Sequence, residues 1–148
     1  MYKRLIGTVA TLVALCAPNV GVAQQAGDAA AGKDVFRKCM ACHRIGPDAR
    51  NAVGPVLNNV IGRQAGTIEG FGYSQLNQSA GKAGLVWTEQ LIFEYLADPS
   101  TFLKKFLTDK GHADQATGAT RMVFKLADEV ERRNVIAYVK EFSPPAAK

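Results

Sequence analysis

Cys39, Met40, Ala41, Cys42 and His43 follow one another in the chain. Thiols three positions apart on one helical turn point the same way, and an imidazole comes directly after the second. Two sulfurs so placed can form thioether bonds to two vinyl groups of one porphyrin, while the histidine turns its ring under the metal. This is the c-type haem attachment signature, with His43 as the proximal iron ligand. A zinc site would need two further ligands, and the only other Cys and His are Cys16 and His112. A thioredoxin-like pair would sit in a βαβ pattern, and no strand-helix alternation surrounds this one. Haem attachment is the reading we carry forward.

The residue on the other face of the iron decides between electron carrier and enzyme. Met40, Met122 and His112 are the candidates. Met40 lies between the tethered cysteines and cannot reach the opposite face. Met122 falls between helical stretches, where the backbone can swing across, and its soft thioether favours ferrous iron and raises the reduction potential. Methionine more often packs a core, and His112 beside Gly111 suits a solvated loop. Spacing alone favours Met122 and leaves His112 or an open position as alternatives. The open position corresponds to a haem enzyme or ligand sensor.

These residues must be held by short helices joined by long loops. Residues 28–40 read as a helix with Asp28 as N-cap, and Gly32 marks a close crossing one turn before Phe36. Residues 44–73 hold eight of the glycines and prolines, too many for a long element. A loop of that length inside a compact domain is usually functional, disordered, or packed against something other than protein, and haem offers such a surface. Residues 74–80 read as a short helix closed by Gly81. Residues 88–97 read as another, with Thr88 as N-cap and a buried stripe of Leu91, Ile92, Tyr95 and Leu96. Asp98 and Pro99 end it and start the next, which runs toward Gly111. Asp128 and Glu131 form a capping box, and Val135, Tyr138, Val139 and Phe142 make the apolar face of a last helix stopped by Pro144 and Pro145. No period-two run occurs, so the class is all-α.

The chain has 148 residues, the length of one domain. Lys3 and Arg4, an apolar run over 5–17 and small residues at 21–23 read as a signal peptide over 1–23, cut before Gln24. The run is short for a membrane span, and Leu15 before Cys16 argues against a lipoprotein site. The expectation is a periplasmic protein, with one domain over 24–148 and no stable membrane insertion. Without Cys16 only Cys39 and Cys42 remain, and capture by haem keeps them from pairing with each other. The 18 basic and 13 acidic residues give +5. Without Lys3 and Arg4 the charge is +3, enough to steer toward an acidic protein surface but too scattered for nucleic acid.

These motifs together resemble the class I cytochromes c, mitochondrial cytochrome c and the bacterial cytochrome c2 group, over residues 27–142. The resemblance rests on Gly27, Asp28, Gly32, Phe36 and the CMACH run; on Gly54-Pro55-x-Leu57, Gly62-Arg63 and Gly66; on Tyr73, Ser74 and Asn77; and on Trp87, Tyr95, Leu96 and Pro99. It continues through Thr120-Arg121-Met122-x-Phe124 and Glu131-Arg132 to Tyr138-Val139-Lys140. It implies a cytochrome c fold, a few short helices and long loops wrapped around one covalent haem c.

The resemblance further implies that Cys39 and Cys42 hold the haem and that His43 and Met122 ligate its iron. Pro55 would accept the other ring N–H of His43 through its carbonyl. Arg63, Tyr73 and Trp87 would bind the propionates, Asn77 and Tyr95 would hold the methionine side, and Gly32 and Phe36 would pack near Val135 and Tyr138. The region 100–119 is an insertion relative to the mitochondrial form. The implied function is one-electron transfer by a monomer, not enzymatic. The donor would be a bc1-type complex or a periplasmic dehydrogenase, and the acceptor a terminal oxidase or a photosynthetic reaction centre. Partners would dock at a haem edge near Lys33, Lys38, Lys82, Lys104, Lys105, Arg121 and Lys125.

Overall fold

Among the described residues, each α-helix starts at a side chain that accepts a hydrogen bond from its first turn. In the computed structural model, which describes residues 26–143, Asp28 Oδ1 accepts from the N–H groups of Ala30 and Ala31 at 2.7 and 3.1 Å. It opens α1 (Ala29–Phe36). Ser74, Thr88, Asp98 and Asp128 do the same for α2 (Gln75–Lys82), α3 (Glu89–Ala97), α4 (Pro99–Asp109) and α5 (Glu129–Lys140). Each cap satisfies donors that the helix cannot, a gain of about 1 kcal/mol. Pro99 adds a pre-set φ at the start of α4.

The frame is the crossing of α1 and α5. A Cβ on Gly32 would lie 1.9 Å from the Asn134 carbonyl oxygen, and one on Gly27 would lie 2.0 Å from that of Arg133. Only glycine lets the two backbones meet there. Phe36 and Tyr138 then meet at a tilt with centroids 5.4 Å apart, and Asn134 Oδ1 accepts the Asp28 N–H at 2.8 Å. Phe36, Val135, Ile136 and Val139 are buried at this seam.

α4 covers the far side of the core, packed on α2 and α3. Leu103 and Leu107 are fully buried, as are Leu76 and Leu85. An aromatic row from Trp87 through Tyr95 and Phe102 to Phe106 binds α3 to α4, with centroids 4.8, 5.8 and 6.4 Å apart in turn.

Two boundaries differ from the expectation. The first helix ends at Phe36, not Met40, and the chain continues in turns: Met40 N–H bonds the Phe36 carbonyl, and the N–H groups of Cys42 and His43 both reach the Cys39 carbonyl. Gly81 lies inside α2 and does not close it. A Cβ there would meet the Ala65 carbonyl at 2.0 Å, and Gly84, with φ +90°, makes the reversal. The inserted region adds α4 and a 3₁₀ turn over Ala113–Gln115.

Residues 44–73 form no helix or strand. Their one ladder fragment is an isolated antiparallel bridge, Gln64 to Val86. The expected signal peptide over 1–23, Cys16, and the stop at Pro144 and Pro145 lie outside the described residues. Among the described residues no helix is long and apolar enough to cross a membrane.

Candidate haem site

The turn after α1 leaves Cys39 half-buried and Cys42 exposed, and the two are not joined by a disulfide. Burial, with Cys42 nearby, pushes the Cys39 thiol up to about 11. His43 comes one residue later, and its Nδ1 lies 2.7 Å from the Pro55 carbonyl oxygen. With the proton on Nδ1 donated to Pro55, the Nε2 lone pair is left for a metal. Burial holds the His43 pKa below its ordinary value, the Pro55 carbonyl opposes this, and Arg63 adds to the lowering. The ring is therefore neutral at neutral pH, the form that ligates.

Gly54 makes the contact possible. A Cβ at Gly54 would lie 2.5 Å from His43 Cε1 and 2.8 Å from Nδ1. The Gly54 N–H in turn bonds the Cys42 carbonyl at 2.8 Å, so attachment turn and histidine-side loop are one unit. In the sequence Gly54 read as loop punctuation and as part of the Gly54-Pro55-x-Leu57 motif. Its steric role appears once the ring is seen against it.

Met122 is half-buried and packs against the hydrophobic core. Its N–H meets Thr120 Oγ1 at 3.3 Å, and that hydroxyl donates to Asn77 Oδ1 at 2.8 Å. Ser74 Oγ donates to the same oxygen at 2.9 Å. Tyr95 is buried, which raises its pKa, while hydrogen bonds with Thr120 and Asn77 oppose the rise. Asn77 and Tyr95 thus meet at the Thr120 hydroxyl that also accepts the Met122 N–H, with the Ser74 hydroxyl on Asn77; sequence reading gave Ser74 and Thr120 no such role. Met40 is 52% exposed, and His112 lies at the end of the α4 turn with its N–H on the Leu107 carbonyl.

Arg63 is the third component. Its Nη1 donates to the carbonyls of Val56 and Asn58 at 3.1 and 3.0 Å. Burial depresses its pKa, and Tyr73 opposes that; burial raises the Tyr73 pKa against the pull of Arg63. Among the described residues no carboxylate lies within 4.0 Å of this guanidinium. A part-buried cation without an anion is costly. Trp87 is held beside it, since its N–H bonds the Arg63 carbonyl at 2.9 Å and its carbonyl accepts from Gly62 at 2.7 Å. Two cysteines on one turn, a neutral imidazole, a thioether and a cation lacking an anion make a donor set that fits haem c, with its vinyls, iron and propionates.

The basic residues are less uniform than expected. Lys38 pairs with Glu131, Lys105 with Asp109 and Lys125 with Asp98. Arg121 donates to the Gly72 carbonyl. Lys33, Lys82 and Lys104 have no carboxylate within 4.0 Å among the described residues.

An all-α fold of short helices and long loops, an attachment turn followed by His43 against Pro55, and Met122 in a loop between helices are the features of a class I cytochrome c. No family model matches the chain. It is 64% identical over 118 residues to cytochrome c2 iso-2 of Rhodospirillum centenum, a match covering 80% of this chain and 98% of that one. To a cytochrome c2 of Rhodopseudomonas palustris it is 52% identical over 139 residues, 94% of this chain and 97% of the relative. Among solved structures, cytochrome c2 from Rhodospirillum centenum superposes with a TM-score of 0.79 at 64% identity, covering 80% of this chain and all of that one. Ferricytochrome c2 from Rhodopseudomonas palustris gives 0.74 at 57%, covering 78% of this chain and 98% of that one. The chain belongs to the cytochrome c2 family. It has the all-α cytochrome c fold, one covalently attached c-type haem and the function of an electron-transfer protein, not an enzyme.

Proposed function

We propose that the chain is a periplasmic one-electron carrier in which Cys39 and Cys42 hold the haem and His43 and Met122 are the axial ligands. The single observation that carries this reading is the His43 Nδ1 contact to the Pro55 carbonyl at 2.7 Å. It commits the ring to one tautomer with the Nε2 lone pair available, one residue after the Cys39/Cys42 pair. When bound, the haem supplies a ferrous–ferric couple. The protein's part is to keep the same ligands in both states and to exclude water, so that little rearranges when an electron moves.

Each surrounding residue has a task in that reading. The hydrogen bond from His43 to Pro55 raises the basicity of the ligand and fixes the plane of its ring. Asn77, Ser74, Thr120 and Tyr95 hold the backbone that presents Met122. Arg63, Tyr73 and Trp87 receive the propionates, which supply the anion that Arg63 otherwise lacks. The segment 1–23 serves as a cleaved export signal, and residues 24–148 form one domain with an insertion over 100–119.

The carrier works as a monomer that docks transiently on larger redox complexes. Donors of the fitting kind are a bc1-type complex or a periplasmic dehydrogenase, and acceptors are a terminal oxidase or a photosynthetic reaction centre.

The deciding test is Met122→Ala in protein made in a host that attaches haem. The variant should stay red and carry the mass of covalent haem, while its reduction potential falls by on the order of 0.1 V or more and the long-wavelength iron–sulfur band of the ferric form disappears. An unchanged potential and band would exclude Met122 as ligand.

A further inference from the structure

Thr120 to Leu126 contain no helix or strand, so their position depends on neighbours. The segment's two ends, Thr120 and Leu126, are buried, while Val123 between them is 85% exposed. Three of the segment's contacts come from a single place, the junction of α3 and α4. The Leu126 N–H bonds the Leu96 carbonyl at 2.8 Å. Lys125 Nζ meets Asp98 Oδ2 at 2.5 Å. The Thr120 N–H points to Ser100 Oγ at 3.3 Å.

Asp98 therefore has two duties. One oxygen accepts the Thr101 N–H at 3.1 Å and starts α4, while the other holds Lys125. α4 itself is anchored by Leu103 and Leu107, both fully buried. These contacts bracket Met122 on both sides. A segment this short cannot lift residue 122 away without releasing one end.

We propose that the start of α4 is a clasp that sets how long the Met122 sulfur stays in place, with Asp98, Lys125 and Ser100 as positioning residues. This gives the inserted helix a task, retention of the distal ligand, and it rests on the reading of Met122 as that ligand. A partly exposed ion pair or one neutral hydrogen bond changes the open population of such a loop by about threefold to tenfold.

The test uses ferric holoprotein and cyanide, which competes for the iron only when the sulfur has left. Lys125→Gln, Asp98→Asn and Ser100→Ala should each take up cyanide about threefold to tenfold faster than the wild type. Lys125→Gln combined with Asp98→Asn should be no faster than either alone, because one pair is lost once. Lys125→Arg should restore the wild-type rate. Concentrated salt should quicken the wild type toward the Lys125→Gln rate and leave that variant unchanged. Helix content followed in urea separates this from plain destabilisation, since the iron–sulfur band should be lost at lower urea than the helices in the variants. Wild-type cyanide rates in all three single variants, with the band intact, would overturn the clasp. Additive effects at 98 and 125 would overturn the pairing. A wild-type ferric spectrum without the band would instead overturn the ligand reading beneath it.

Discussion

At the residue scale, space beside His43 is as informative as its hydrogen bond. Gly54→Ala would place a methyl 2.5 Å from the His43 ring, inside van der Waals contact, and the ring is held by Pro55 and cannot yield freely. We expect a loss of about 1–3 kcal/mol, typical of overpacking, with a changed ferric spectrum, read from the urea midpoint and the absorption bands. A wild-type spectrum and midpoint would mean the loop yields at no cost. On the other side, Thr120→Val keeps the shape but removes the hydroxyl that donates to Asn77 and accepts from Met122. Loss of a buried donor and acceptor should cost about 1–3 kcal/mol and weaken the iron–sulfur band. Calorimetry on the same sample checks both. Arg132 shows the opposite case, a buried cation serving the fold. Its Nη1 donates to the Leu126 and Ala127 carbonyls at 2.7 Å, its guanidinium lies 4.4 Å from the Phe93 ring, and its Nε has no partner.

At the element scale, the crossing of α1 and α5 sets the frame, and Gly32 is where it is tightest. Gly32→Ala would drive a methyl to within 1.9 Å of the Asn134 carbonyl oxygen, backbone against backbone, where no rotamer gives relief. The helices must separate, and we expect a loss of at least about 3 kcal/mol, seen as a large drop in thermal midpoint. The start of α4 responds to pH. The Asp98 carboxyl is held below the ordinary carboxylate range by its hydrogen bond from Lys125 and then by the Thr101 N–H. A group depressed on folding stabilises fully above its unfolded pKa and loses that contribution as pH falls through the folded value. The stability gap between wild type and Asp98→Asn should therefore be widest at neutral pH and close on acidification below about pH 4. Urea midpoints measured across that interval would show it, and a gap independent of pH would remove the charge from the account.

At the scale of the whole molecule, charge governs encounters. A net +5 over the full chain, +3 once residues 1–23 are removed, favours acidic partners, and screening removes that attraction beyond about 10 Å at ordinary salt. Neutralising Lys82 and Lys104 together should slow electron transfer to an acidic partner a few-fold at low ionic strength and leave it unchanged at high. Stopped-flow rates across a salt series would show whether the two curves converge. Equal rates at low salt would place the docking face elsewhere.

Much of this was legible from the amino-acid order because the information is local. The CMACH spacing names its chemistry within five residues. The caps at Asp28, Thr88, Asp98 and Asp128 lie beside the turns they satisfy, and the glycine density of 44–73 already describes a loop. What the tertiary structure decided depends on residues far apart in the chain. Gly81 reads as a helix end until Ala65 is seen against it. Gly54 reads as a turn until His43 fills the space beside it. Thr120 meets Asn77 across 43 positions, and Lys125 meets Asp98 across 27. Periodicity and capping report on one turn of chain. Steric room and hydrogen bonds between distant segments exist only once the packing has brought them together.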